Sequence, residues 1–219
     1  MKRQVSLEEI SDGRLYTAND LVKADCGGCQ GCSACCRNMG TSAVLDPMDV
    51  FRMEQGLGMD FDALLTKGLE LNVSDGLILP NLRMTGEAEA CAFLNPDGRC
   101  GIHPYRPGVC RLFPLGRYYE ESGFRYFLQI HECPKNRSKI KVRKWLDTPE
   151  LSKYEAYIQD WHFFLERVQK AVGEEDEALR RNACLYLLKT FFRAPYDTSK
   201  DFYGQFYERL EQASGIFGA

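Results

Sequence analysis

The sequence predicts an α+β protein whose first two thirds form an irregular, cysteine-rich core of short helices and β-hairpins, followed by a helical C-terminal region. Three observations carry that expectation. Nine of the ten cysteines fall before residue 134. Gly, Pro, Asn and Asp interrupt that part of the chain every few residues, and after about residue 140 the apolar side chains recur at helical spacing. With 219 residues and 44% hydrophobic content, the chain can bury a core as one domain or as one domain with an appendage. The expected organisation is a core over residues 1–140 with a helical extension over 141–219 packed on it.

The elements follow in chain order. Asp46 is an expected N-cap, with Pro47 in the first helical position and Asp49 as an acidic third residue; Gly56 is the expected stop. A second short helix should start at Asp60 and end by Gly68. Residues 77–84, interrupted by Pro80, read as at best an edge strand. The Asn-Pro-Asp-Gly at 95–98 should fold a hairpin that brings Cys91 and Cys100 together. A second hairpin, 115–119 with 124–130, should be joined by Glu-Glu-Ser-Gly and carry Cys110 and Cys133 at its outer ends on one side.

Beyond residue 140, Thr148-Pro149 should cap a helix with Leu151, Tyr154, Tyr157, Ile158, Trp161, Leu165, Val168 and Val172 on its apolar face, closed by Gly173. A second helix is expected over 174–192, with Leu179, Cys184, Leu187, Leu188 and Phe191 in its stripe and Pro195 beyond. A third is expected over 199–213, with Phe202, Phe206 and Leu210 one turn apart and Gly215 after it. These stripes read as packing, and Cys184 within one of them as a small buried hydrophobe.

The chemistry lies in the cysteines. Cys26, Cys29, Cys32, Cys35 and Cys36 occupy five of eleven positions, as three successive C-x2-C steps ending in an adjacent pair. Two small residues are about the shortest spacer that lets both thiolates turn toward one ion or cluster. Cys91, Cys100, Cys110 and Cys133 complete the set, and His103 and His131 fall inside it. The N-terminus is charged, with no apolar stretch of signal-peptide length, so the chain is expected in the cytoplasm, where thiols stay reduced and dense cysteine reads as metal chemistry. If residues 35 and 36 were extended their side chains would point to opposite faces, favouring two neighbouring four-cysteine sites. One site plus a mixed site with histidine, or a single site, stays open. Soft thiolates leave zinc and a 4Fe-4S cluster as the candidate cofactors. Either way the core should be metal-stabilised, because its short elements bury little alone. Arg99, Arg106 and Arg111 lie close enough in sequence to offset the negative charge of such a centre.

Net charge is −3, and nothing global points to nucleic acid or a membrane. The local exception is a basic run of Lys135, Arg137, Lys139, Lys141, Arg143 and Lys144, which could face phosphate or an acidic protein partner. Phosphate loops, dinucleotide fingerprints, nucleophile elbows and zincin motifs are absent from the sequence.

Cys29-x2-Cys32-x2-Cys35-Cys36, Leu45-Asp-Pro-Met-Asp49-Val, Cys91-x-Phe-Leu, Cys100-x-Ile-His103-x2-Arg106-Pro107-x2-Cys110-Arg111-x-Phe113-Pro114 and Cys133 together resemble the YkgJ-like CxxCxxCC cysteine-cluster family, described as zinc- or iron-chelating. The resemblance spans roughly residues 26–134. It implies a metal-binding protein of bacterial or archaeal cytosol with Cys29, Cys32, Cys35, Cys36, Cys91, Cys100, Cys110 and Cys133 as ligands. Two residues depart: Cys26 precedes the usual start of the cluster, and His103 stands where the family more often has tyrosine, so these two are additional candidates. Arg106 and Arg111 are the expected charge partners. The flagellin lysine methylases look like distant relatives in which an iron-sulfur centre is implicated in methyl transfer, so an iron-sulfur-dependent transferase is one alternative. A zinc-stabilised interaction module is another.

Overall fold

The computed structural model describes residues 6–28, 32–173 and 176–218. Short helices and hairpins fill the N-terminal part and longer helices the C-terminal part, as an α+β chain should. One turn, α1 (Leu7–Ile10), leads to β1 (Leu21–Asp25), and a 3-10 turn (Ala34–Cys36) follows. Helices α2 (Pro47–Leu57) and α3 (Phe61–Lys67) precede the hairpin of β2 (Leu69–Ser74) and β3 (Leu77–Leu82). Next come the short pair β4 (Met84–Thr85) and β5 (Ala90–Cys91), a 3-10 turn (His103–Tyr105), helix α4 (Gly108–Leu112), and the hairpin of β6 (Leu115–Glu120) and β7 (Gly123–Leu128). Strand β8 (Ser138–Lys141) runs into α5 (Val142–Leu146), and α6 (Leu151–Val172), α7 (Glu177–Leu187) and α8 (Phe202–Phe217) complete the chain.

The capping chemistry explains the helix starts. Asp46 accepts the Asp49 N–H at 2.9 Å while Asp49 accepts the Asp46 N–H at 3.2 Å, a reciprocal capping box ahead of Pro47. Asp60 caps α3 by accepting the Ala63 N–H at 2.8 Å. Several expected boundaries move for physical reasons. Helix α2 runs through Gly56 and stops at Gly58, which supplies the left-handed φ of 64° that the C-cap needs. Helix α6 is capped by Glu150, not Thr148, whose hydroxyl instead donates to the Leu146 carbonyl. Helix α8 passes Gly215 because Phe217 gains edge contacts with Phe164 and Tyr186, and it ends at Gly218. Leu179 lies on the exposed side of α7, whose buried face is Ala183, Cys184 and Leu187. Residues 188–193 then widen into a π-turn, and Arg209 donates to the carbonyl of Thr190 within it and to those of Ala194 and Pro195 just beyond it.

Gly56 faces the ring of Tyr105, and a Cβ there would overlap that ring. Alanine at an interior helix position normally gains about 1 kcal/mol over glycine. Here the clash should dominate, and Gly56→Ala should lower stability by about 1–3 kcal/mol, read from the urea midpoint. A neutral or stabilising result would show that Tyr105 moves aside freely.

Pro80 sits mid-strand without disrupting the β2–β3 ladder. The polar groups on its side of β3 face residues 43–45: Leu45 N–H donates to the Pro80 carbonyl at 2.8 Å and Leu82 N–H to the Ala43 carbonyl at 3.0 Å. β3 is thus an edge of a two-stranded sheet, as expected, with an isolated bridge from Val44 to Asn81 on its outer side, and the missing proline N–H costs no bond to β2. β1 pairs antiparallel with β8, so the stretch just before Cys26 lies beside the stretch just after Cys133. One buried apolar cluster contains side chains of both parts of the chain, from Leu45, Met53 and Leu64 to Phe191 and Phe206. Across it, the Tyr157 hydroxyl donates to Asp46 at 2.9 Å and accepts the Met48 N–H at 3.0 Å, fixing α6 to the start of α2.

Candidate metal centre

Six of the described cysteines come from four short segments, and local backbone explains each placement. Cys32, Cys35 and Cys36 lie on or beside the 3-10 turn that starts at Ala34. Cys91 ends β5, where it pairs with Met84. The expected turn at 95–98 forms, with Gly98 N–H on the Asn95 carbonyl and Asn95 N–H on the Arg99 carbonyl, and it returns Cys100 to bridge Leu94. Cys110 lies within α4, whose first residue, Gly108, donates its N–H to the buried Asp49 carboxylate at 2.7 Å.

These segments enclose one cavity of about 380 Å³ lined by Cys32, Cys35, Cys36, Cys91, Cys100 and Cys110, with His103, Arg99 and Arg106 among its polar walls. A smaller hollow of about 60 Å³ adjoins it, bounded by Cys26 and Cys133 and sharing Cys32, Cys35 and Cys110. The nine described cysteines are all free thiols. Eight of them therefore line two connected spaces. The ninth, Cys184, is buried on α7, where its sulfur accepts the Ile78 N–H at 3.2 Å. Cys29 lies outside the described residues. Among the described residues no three His, Cys, Asp or Glu side chains form a ready ion-binding group.

One premise of the spacing argument fails. Residues 35 and 36 are in a 3-10 turn, not extended backbone, and both side chains reach the same cavity. The Cys36 thiol hydrogen-bonds to the Cys35 sulfur, which holds Cys35 down to about 7 against the opposing effect of burial, with the Arg106 charge helping. The same bond and burial push Cys36 up. Burial raises Cys91, Cys100 and Cys110, and the neighbouring Asp49 charge adds to the effect on Cys110. These thiols resist ionisation unless a cation supplies the compensating charge. Soft, grouped and held apart from water, the donor set fits a thiolate-bound metal, whose binding would release protons.

The other candidates divide. Arg106 lines both cysteine spaces, and one of its guanidinium nitrogens contacts His103 Nε2. Burial, then the charges of Arg106, Arg99 and Arg111, lower the His103 pKa, which keeps the ring neutral. Arg111 lines a different hollow, with Pro104 and Asp147. His131 lies on an exposed turn with a left-handed φ of 68° and lines neither cysteine space. Sequence reasoning did not identify Asp49 as the anchor of the Cys110 helix. Its capping role was visible locally, but its second partner, Gly108, lies 59 residues away.

Residues 28–134 match the family model CxxCxxCC, described as a "putative zinc- or iron-chelating domain". No curated protein and no solved structure gives a significant match to the chain. No helix among the described residues is long and apolar enough to cross a membrane.

Proposed function

Because the chain carries a CxxCxxCC domain over residues 28–134, we propose that this protein binds one composite iron-sulfur centre of the 4Fe-4S type, with ligands drawn from Cys29, Cys32, Cys35, Cys36, Cys91, Cys100, Cys110 and Cys133. The observation that carries the reading is the set of six thiols around a single cavity of about 380 Å³. A tetrahedral zinc uses four sulfurs at about 2.3 Å and needs little room. The cavity is an order of magnitude larger than the ~30 Å³ share of one water. A cluster spreads its ligands over several irons, which suits thiols arranged around a space. The sharing of Cys32, Cys35 and Cys110 between the two hollows favours one composite centre over two separated sites. Arg106 would offset the net negative charge of the thiolates, and donors near the sulfurs would raise a reduction potential. In this reading residues 1–140 provide the ligands and 141–219 the helical support.

The test is preparation without air or nickel resin, followed by iron, zinc and acid-labile sulfide analysis. Brown protein with iron and sulfide in near-equal amounts, bleached by oxygen, is the expected result. Colourless protein with stoichiometric zinc and no sulfide overturns it and leaves a zinc-stabilised module.

A further inference from the structure

The basic run does not end at the cysteine cavity. Arg143 and Lys144, on α5, line an open hollow with Arg111, Pro104 and Asp147, and its second lobe adds Arg52. The lobes measure about 410 and 650 Å³. Trp145 fixes α5 there, its indole N–H reaching the carbonyls of Leu112 and Phe113 at 3.3 and 3.2 Å, so that Arg143 and Lys144 are held near Arg111.

The charge in this hollow is unbalanced. In one lobe three cationic side chains, Arg111, Arg143 and Lys144, meet one carboxylate, Asp147; Arg52 lines the adjoining lobe, its guanidinium 5.7 Å from the Tyr154 ring centre, and among the described residues none of the four is in an ion pair. Arg111 donates one guanidinium N–H to the Pro104 carbonyl, while its buried Nε has no partner. Helix α6, 22 residues long, begins just after Thr148 and Pro149 of this hollow, and its N-cap Glu150 makes no side-chain cap bond.

A lone carboxylate brings one negative charge. A phosphomonoester brings about 1.5–2 at pH 7, with three acceptor oxygens suited to arginine forks. We propose that this hollow binds the phosphate group of a small phosphomonoester ligand through Arg52, Arg111, Arg143 and Lys144. The segment 103–111 then has two roles. His103, Arg106 and Cys110 face the cysteine cavity, while Pro104 and Arg111 face the phosphate. The site is independent of which metal the cysteines hold.

Inorganic phosphate and glycerol phosphate, titrated into the full-length protein by calorimetry at constant ionic strength, test the proposal. Saturable binding is expected, and the double substitution Arg143→Gln with Lys144→Gln should weaken it about ten-fold or more. Lys139→Gln with Lys141→Gln removes the same charge from β8, outside the hollow, and should change it by no more than about two-fold. Equal losses in the two doubles mean diffuse attraction, and absence of saturation means no site; either overturns the proposal. Tighter binding of an oligoglutamate peptide than of glycerol phosphate also overturns it, pointing to an acidic protein partner.

Discussion

Cys110→Ala should strip the protein of more than half of its bound metal and lower its melting temperature by about 10 °C, because for a metal-organised core binding energy is folding energy. Cys110 is the appropriate target because it lines both thiol spaces and comes from helix α4. Cys32→Ala, which also removes a thiol shared by the two spaces, should act in the same direction. The contrast is Cys184→Ala. That thiol is more deeply buried but packs against the β2–β3 hairpin, so its loss should cost about 1–2 kcal/mol through a small cavity and an orphaned Ile78 N–H. Metal content should not change. Metal analysis and thermal melts of the three variants suffice. Loss of metal in Cys184→Ala with retention in Cys110→Ala would falsify the division between ligand and packing cysteines.

The second large effect is expected at a residue with no sulfur. Asp49 is 1% exposed and accepts two backbone N–H groups, from Gly108 and Asp46. Asp49→Ala orphans both, and at about 1–3 kcal/mol for each buried donor the expected loss is about 3–5 kcal/mol. Because one of those donors begins the helix that carries Cys110, metal retention should fall with it. Asp49→Asn keeps an acceptor for Gly108 and should recover most of the metal, which a general loss of stability would not predict. The pH dependence provides a separate readout. Burial, then the adjacent Asp46 charge, push the Asp49 carboxyl up to about 8. In the unfolded chain it titrates near 4. Between those values the folded state holds a proton that the unfolded state has released, so the Asp49 contribution to stability is full below about 4 and is lost as pH rises through about 8. Denaturant midpoints of wild type and Asp49→Asn should therefore converge as pH rises across that window. A constant gap would show that Asp49 is ionised throughout.

Local signals in the sequence were enough to place the starts of α2 and α3, the 95–98 turn and the β6–β7 hairpin, because each rests on a cap or turn residue acting within three or four positions. Boundaries failed where a distant partner decided them. Gly56 stays helical with Tyr105 against it, and Gly215 is passed because Phe217 has aromatic neighbours to reach. The grouping of thiols was legible from spacing and from the turns that return Cys91 to Cys100. Their common cavity was not, since alternation in an extended strand gave the wrong geometry for Cys35 and Cys36 in a 3-10 turn. The pairing of β1 with β8 carries no local signature at all: it joins two short segments more than a hundred residues apart, one of them inside a run of lysines and arginines.

That pairing has a consequence for how the protein is made. Residues 21–25 and 138–141 flank Cys26 and Cys133, so the two sides of the smaller hollow meet only when both segments are present. A chain still emerging from the ribosome holds its earliest sulfurs in solution until the closing strand has been synthesised. Bringing ends this far apart together costs on the order of 4 kcal/mol in chain entropy before any contact repays it. A centre that takes Cys133 as a ligand would therefore be completed only after the closing strand has been synthesised.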